Sequence, residues 1–307
     1  LVLDQTPFYA ESGGQVGDRG KISGENISLD VIDVKNENQS IIHVCQGVFQ
    51  YSNSLIKCSV EKTFRDKVRN NHTATHLMHK ALKNILGNHV NQAGSLVHPD
   101  YLRFDLTHFE KITEEQIEKI EKMVNSQILA NTKLDVSIES YDDAKNQGAE
   151  ALFGEKYGNE VRVVKVGEYS LELCGGTHVN RTGDIGTFKI IEESSLSSGV
   201  RRIVALTGTG ALKEVQKNSS IIHSLQQKFN VPSSEIINKV NTLINEKKDL
   251  EKKIKQRSFG NLQANIFDDA EKIGDTTLIV KKVSVGSMDE LKSLGDQVFK
   301  KLPGGIA

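Results

Sequence analysis

Short, partly alternating apolar runs fill the first sixty residues of the chain. The stretches 27–34, 41–44 and 55–60 are rich in β-branched residues, and glycines at 13, 14, 17, 20, 24 and 47 punctuate them. That pattern predicts short strands in a small β-barrel or sheet over residues 1–65. The period then changes. Val68, His72, Thr75, His76 and His79 recur at spacings of three or four, which predicts a helix over 62–87 with Gly87 as its stop. A strand is expected at 102–106. A helix is expected at 113–130, where Thr113 and Gln116 make a capping box and Ile117, Ile120, Val124 and Ile128 form an apolar stripe. Strands at 134–140, 161–166, 169–173, 186–192 and 200–206 complete an α+β domain of mixed sheet and packed helices over 66–208.

Beyond residue 208 the pattern is helical again. Val215, Ile222, Leu225 and Phe229 share one stripe. Ile236, Val240, Leu243, Lys247, Leu250 and Ile254 alternate by four and three, a heptad seam with one polar member. It covers under three heptads, so 209–258 reads as a helical connector, either a hairpin or a true coiled coil. A strand at 276–285, a helix at 288–301 and a turn at Pro303-Gly-Gly open a further α/β domain over 259–307 that looks truncated.

Composition narrows the class. With 307 residues, ~100–200 residues per domain implies two or three domains. A charged fraction of 26% beside 37% hydrophobic residues describes an ordered globular chain, and a net charge of −1 argues against a uniformly basic nucleic-acid coat while leaving room for local patches. Three cysteines are too few and too odd for a disulfide framework, which points to a reducing compartment, the cytoplasm. No membrane span and no signal peptide are expected. The chain starts at Leu1 without a Met and ends where a strand is due, so both ends look cut from a longer protein.

The chemistry concentrates in two short stretches. His72 and His76 sit four apart on the expected helix, and an i, i+4 pair shares a face. Cys174 and His178 have the same spacing in Leu173-Cys-Gly-Gly-Thr-His178. Either pair alone reads equally well as packed or surface residues. Together they form a tetrahedral donor set that suits Zn²⁺, structural if closed and catalytic if one position opens to water. The residues between the two histidines are Thr73, Ala74 and Thr75, so the carboxylate base of a zinc protease is missing. Thr73 and Thr75 either bond a small polar substrate or bond back to the helix. His79 reads as a structural or supporting histidine. The run Tyr9–Asp18, with Gly13-Gly14 and Gly17, is either a turn that approaches phosphate or a hairpin corner, and it lacks the lysine of a P-loop. Arg201 and Arg202 open a strand, where neighbours point opposite ways, so one faces solvent or phosphate and one pairs internally, or the arginines serve structural salt bridges. Lys247, Lys248, Lys252, Lys253, Lys255 and Arg257 give the connector a basic face, either solvated or in contact with an RNA backbone.

The segments Thr6-Pro-Phe-Tyr-Ala-Glu-Ser-Gly-Gly-Gln15, His72-Thr-Ala-Thr-His-Leu77, Gln92-Ala-Gly-Ser95, Leu173-Cys-Gly-Gly-Thr-His-Val179 and Gly199-Val-Arg-Arg202 resemble, in order, the editing region of the alanyl-tRNA synthetase family. The resemblance covers about the first 208 residues by motif and extends to the helical connector and the start of the C-terminal domain. It implies hydrolysis of the ester in tRNA(Ala) mischarged with serine or glycine, within a parent that ligates alanine to tRNA(Ala) using ATP and that can form a homodimer. It implies His72, His76, Cys174 and His178 as Zn²⁺ ligands, and Gln92, beside Thr73 and Thr75, in handling the wrong amino acid. Arg201 and Arg202 are the expected tRNA contacts. No ATP-binding or aminoacylation domain is recognisable in the sequence. Two other readings stand beside this one: a free-standing trans-editing deacylase, and a non-catalytic zinc-stabilised tRNA-binding module.

Overall fold

The computed structural model describes residues 1–38, 40–50, 55–151, 158–268 and 270–302. The chain divides into two compact units, Leu1–Asn218 and Ser219–Ala307. The first unit opens with an antiparallel sheet of β1 (Gly20–Gly24), β2 (Ile27–Glu37), β3 (Ser40–Phe49) and β4 (Lys57–Val60), in the order β3-β2-β1-β4. Ile27, Leu29 and Val31 alternate inward along β2, and a bulge between Val31 and Asp33 resets the register so that Val34 rather than Asp33 is buried. The expected small barrel is corrected to an open sheet. Among the described residues β3 and β4 stay at opposite edges, and four strands are too few to enclose a core. Phe8, from the segment before β1, covers the apolar face instead.

Helix α1 (Lys62–Leu86) runs through the middle of the unit and ends at Gly87, whose φ of 116° a side chain would resist. Every residue from Asn71 to His79 is buried. A helix this enclosed should be apolar, yet three of those nine residues are histidines and two are threonines. Helix α2 (Glu114–Leu129) packs against α1 and begins at the expected capping box, Thr113 with Gln116. A second antiparallel sheet has β5 (Gln92–Val97), β6 (Leu102–Thr107), β10 (Phe188–Ser197) and β11 (Val200–Thr207) in the order β10-β11-β6-β5. A third has β7 (Leu134–Ser140), β8 (Glu160–Val166) and β9 (Ser170–Leu173) side by side, with the short helix α3 (Tyr141–Asn146) after β7. Leu77, Met78, Leu82, Phe104, Ile120 and Phe188 lie sealed in the core between these layers. Each such side chain contributes about 1.5–3 kcal/mol on burial. Asn71 fastens α1 to its surroundings: Nδ2 donates to the His98 carbonyl at 2.6 Å, and Oδ1 accepts from the Thr207 hydroxyl at 2.6 Å.

Helix α4 (Gly208–Phe229) spans the division between the units. The second unit contains α5 (Ile236–Asn265), a hairpin of β12 (Glu271–Ile273) and β13 (Thr276–Leu278), and α6 (Met288–Lys301) around Ile266, Ile279, Leu294 and Val298. One expectation changes here. Along the seam on α5, Ile236 is buried while Leu250 and Ile254 are 58% and 63% exposed. The strand expected at 276–285 stops at Leu278, because among the described residues its backbone has only the three residues of β12 to pair with. The turn expected at Pro303 lies outside the described residues. No helix among those residues is long and apolar enough to cross a membrane.

Candidate metal centre

The two pairs of candidate ligands, a hundred residues apart in sequence, meet in the first unit. Helix α1 carries His72 and His76 on one face. Strand β9 delivers Cys174 at its end, and the following turn brings back His178. The four side chains are buried, and their ligand atoms lie within 4.8 Å of one another. Cys174 Sγ sits 3.3 Å from Nε2 of His72 and 3.3 Å from Nε2 of His178. With metal–ligand bonds of ~2.0–2.3 Å, a tetrahedral site separates its donors by about 3.3–3.8 Å. The donor types and the two separations from Cys174 Sγ therefore suit a zinc-like ion held by three imidazoles and one thiolate, with the other donor pairs inside 4.8 Å. Metal-site geometry also needs the ring nitrogen that faces away to be fixed. Nδ1 of His72 is 2.7 Å from Oε1 of Gln15, and Nδ1 of His178 is 3.1 Å from the Thr73 hydroxyl. Nδ1 of His76 makes no hydrogen bond among the described residues and is held only electrostatically, 3.5 Å from the Glu172 carboxylate, which also stands 3.7 Å from His79.

The turn that returns His178 is held from two sides. Arg162 on β8 donates to the carbonyls of Cys174 and Gly176 at 2.8 and 2.7 Å. Gln15 accepts from Thr177 N at 2.9 Å and donates to its hydroxyl at 3.0 Å. Gly176 is required for the approach: a Cβ there would lie 2.0 Å from Cε1 of His72.

The electrostatics follow from this crowding. Burial opposes the Cys174 thiolate, but the imidazoles of His72, His76 and His178 outweigh it and hold the thiol well below its usual pKa. Burial and the neighbouring His72 depress His178 to about 3. Burial would also lower His76, yet the Glu172 carboxylate and the Cys174 sulfur reverse that and raise it to about 9. Glu172 is the mirror case, raised by burial but brought down to about 2 by His76 and His79.

The remaining expected site residues are arranged differently. Thr73 faces His178 and also accepts from Val179 N at 3.2 Å. Thr75 donates back along the helix to the Asn71 carbonyl at 2.8 Å. Gln92, partly buried, begins β5 opposite Leu106. Arg201 and Arg202 both form salt bridges, the structural alternative to phosphate contact. Arg201 grips Glu193 at 2.6 and 2.7 Å, and Arg202 grips Asp105 at 2.7 and 2.9 Å. Opposite pleat directions find a carboxylate on each neighbouring strand. The Gly13-Gly14 turn is a packed corner: Val97 N donates to the Gly14 carbonyl at 2.7 Å, and a Cβ at Gly14 would lie 2.5 Å from the Ser95 carbonyl oxygen.

Sequence reasoning missed Gln15, Arg162 and Glu172. Glu172 carries a readable signal, because it stands two positions before Cys174, where strand alternation carried one step past β9 puts both on one side. Gln15 and Arg162 are brought in by tertiary packing, which no spacing encodes.

Two family models match the chain. Residues 161–204 match the "Threonyl and Alanyl tRNA synthetase second additional domain", and residues 1–63 match "tRNA synthetases class II (A)". The first match contains Cys174 and His178; the second contains Gln15. Along its whole length the chain is similar to proteins named alanine–tRNA ligase. It is 43% identical over 314 residues to that of Acetivibrio thermocellus and 44% identical over 313 residues to that of Alkaliphilus oremlandii, covering 100% of this chain and 36% of each relative. The one from Pseudoalteromonas translucida is 40% identical over 311 residues, again with 100% of this chain and 36% of the relative covered. The chain thus spans about a third of the length of these relatives.

Proposed function

We propose that the first unit is the editing deacylase of an alanine–tRNA ligase, hydrolysing the ester of tRNA(Ala) mischarged with serine or glycine at a Zn²⁺ site formed by His72, His76, Cys174 and His178. The observation that carries this reading is the convergence of those four buried ligands within a chain similar throughout to alanine–tRNA ligases. Residues 66–208 would form the editing domain, 1–65 a sheet subdomain before it, 209–258 a helical connector and 259–307 the start of a C-terminal domain. The ligation of alanine to tRNA(Ala) with ATP, dimerisation and a cytoplasmic setting belong to the proposal for the parent enzyme.

A second hydrolytic site has a physical purpose. A pocket built for alanine cannot strongly reject glycine, which is smaller by a methyl, or serine, which adds only a hydroxyl. Zinc bound here would supply a Lewis acid, able to polarise the ester carbonyl or to lower the pKa of a water toward ~7. The chain's own residues do the positioning. Thr73 holds His178 through Nδ1, and Arg162 fixes the turn between the two ligands of the second pair. Thr75 donates its proton to the helix, so its oxygen can still accept from a serine hydroxyl. Gln92, whose amide offers both a donor and an acceptor, is the other candidate for reading that hydroxyl. Arg201 and Arg202 are proposed to face the tRNA backbone from within their carboxylate pairs, and Arg202, with a side chain 28% exposed, is better placed for it.

The test is deacylation of Ser-tRNA(Ala) and Ala-tRNA(Ala) by this chain, with and without a chelator. Faster turnover of the serine ester that is lost on chelation supports the reading. Equal turnover of both esters, or of neither, overturns selective editing. One observation favours a second reading: four protein ligands close a tetrahedral site, and closed sites usually support folding. On that reading chelation lowers the melting temperature and leaves no deacylation to lose.

A further inference from the structure

The side chain of Gln15 is completely buried, and its three hydrogen bonds, two at Oε1 and one from Nε2, are all made to the candidate metal centre. Oε1 lies 2.7 Å from Nδ1 of His72 and accepts from Thr177 N at 2.9 Å, and Nε2 donates to the Thr177 hydroxyl at 3.0 Å. One amide thereby ties the first ligand pair, on α1, to the turn of the second. Its carbonyl oxygen can only accept, so the proton of the His72 ring must sit on Nδ1, which leaves the Nε2 lone pair on the Cys174 side, free to serve as a metal ligand. The absence of a Cβ at Gly176 makes room for this, since one there would lie 2.9 Å from Gln15 Oε1 as well as 2.0 Å from the His72 ring. Gln15 itself is held by Val16 N donating to the Val97 carbonyl at 3.2 Å, and by the two-way backbone bonds between Ser12 and Gln15 at 3.2 and 2.9 Å.

We infer that Gln15 is a positioning residue for the metal centre: it selects the tautomer of His72 and clamps the Cys174–His178 turn against it, so that the segment before the first sheet is part of the centre. Residues of this kind, orienting a ligating histidine, typically change metal affinity by about 10–100-fold when removed. The inference rests on the reading of the four side chains as a metal site, and its test separates the two.

The full chain is stripped of metal, then titrated with Zn²⁺ against a competing chelator, and separately with Co²⁺ while its absorption is recorded. Metal-bound samples labelled with ¹⁵N report the His72 tautomer by long-range ¹H–¹⁵N spectra. The unsubstituted chain should bind one ion, with a tetrahedral Co²⁺ spectrum and a His72 Nδ1 proton protected from exchange. Gln15→Ala should weaken Zn²⁺ binding about 10–100-fold and lose that protected proton while the far-ultraviolet circular dichroism stays unchanged. Gln15→Glu keeps an acceptor for both His72 and Thr177 N, so it should recover most of the affinity and shift the Co²⁺ bands. A residue that merely filled space would leave the His72 Nδ1 proton in place in both variants and the Co²⁺ bands of Gln15→Glu unshifted, and that result overturns the inference, as does Gln15→Ala binding metal like the unsubstituted chain. If Gln15→Ala unfolds, the Gln15→Glu spectrum and His72 tautomer decide alone. Failure of the unsubstituted chain to bind either ion refutes the metal reading itself.

Discussion

Nδ1 of His76 lies 3.5 Å from the Glu172 carboxylate, with both side chains only 7% exposed. In the metal-free protein this is a buried ion pair, and its pH window follows from the two shifts. His76 is raised from 6.5 to about 9, so its contribution is complete below pH 6.5 and lost as the pH rises through 9. Glu172 is lowered from 4.5 to about 2, so its contribution is complete above pH 4.5 and lost as the pH falls through 2. The metal-free chain should therefore draw full stability from the pair between pH 4.5 and 6.5. Glu172→Gln, which leaves a buried cation alone, should cost about 3 kcal/mol in that window and flatten both limbs. Urea unfolding across pH in the presence of a chelator measures it. An unchanged pH profile in Glu172→Gln would show that the pair does not couple to folding.

Two adjacent glycines offer a matched pair of variants. A Cβ at Gly175 meets nothing within 4 Å, whereas one at Gly176 would lie 2.0 Å from the His72 ring. Gly175→Ala should leave stability and Zn²⁺ affinity near those of the parent chain. Gly176→Ala must displace His72 or the turn, at about 1–3 kcal/mol for an overpacked site, with a parallel loss of Zn²⁺ affinity. Urea midpoints and chelator competition on both variants check this, and equal behaviour of the two would contradict the packing described around His72.

How much of this could be read from the sequence depends on the range of the interactions. The helix through His72 and His76, the capping box of Thr113 with Gln116 and the ligand spacing at Cys174 and His178 are local, so period and residue type reveal them. The supporting groups are not local. Gln15 reaches His72 across 57 positions, and neither residue's neighbours hint at the other. Arg201 and Arg202 show the converse failure. Their alternation is legible, but the carboxylates that meet them, Glu193 and Asp105, come from strand register, which a single sequence does not specify. The barrel expected at the N-terminus failed because alternation reports one buried face and not whether the sheet closes.

Arg202 and Asp105 join β11 to β6 through two bonds of 2.7 and 2.9 Å, and Asp105 is nearly buried. Arg202→Ala should lower the urea midpoint by leaving that carboxylate only its 3.4 Å ion pair with Arg103, and adding Asp105→Asn should restore part of the loss. If Arg202 also contacts tRNA phosphate, the single variant weakens tRNA binding and reduces the slope of log affinity against log salt by about one. The double variant, though more stable, should not recover that slope. Recovery of tRNA affinity together with stability would assign Arg202 a purely architectural role.

Cys174 is the ligand whose loss best separates the catalytic and structural roles of the ion. Its thiolate touches two of the three imidazoles, and the Gly176 amide points at it from 3.4 Å. Cys174→Ser replaces a soft anionic donor with a neutral hydroxyl of similar size, so the pocket should stay filled while Zn²⁺ affinity falls steeply. Elemental analysis should find close to one zinc per unsubstituted chain and far less in the variant. If the ion acts on the ester, the variant loses Ser-tRNA(Ala) hydrolysis at temperatures well below its own melting point. If the ion only braces α1 against the 174–178 turn, hydrolysis and melting fall together, and lowering the temperature restores both. Deacylation measured at two temperatures on either side of the melting transition distinguishes the cases, because a missing ligand cannot be regained by cooling whereas a loosened turn can.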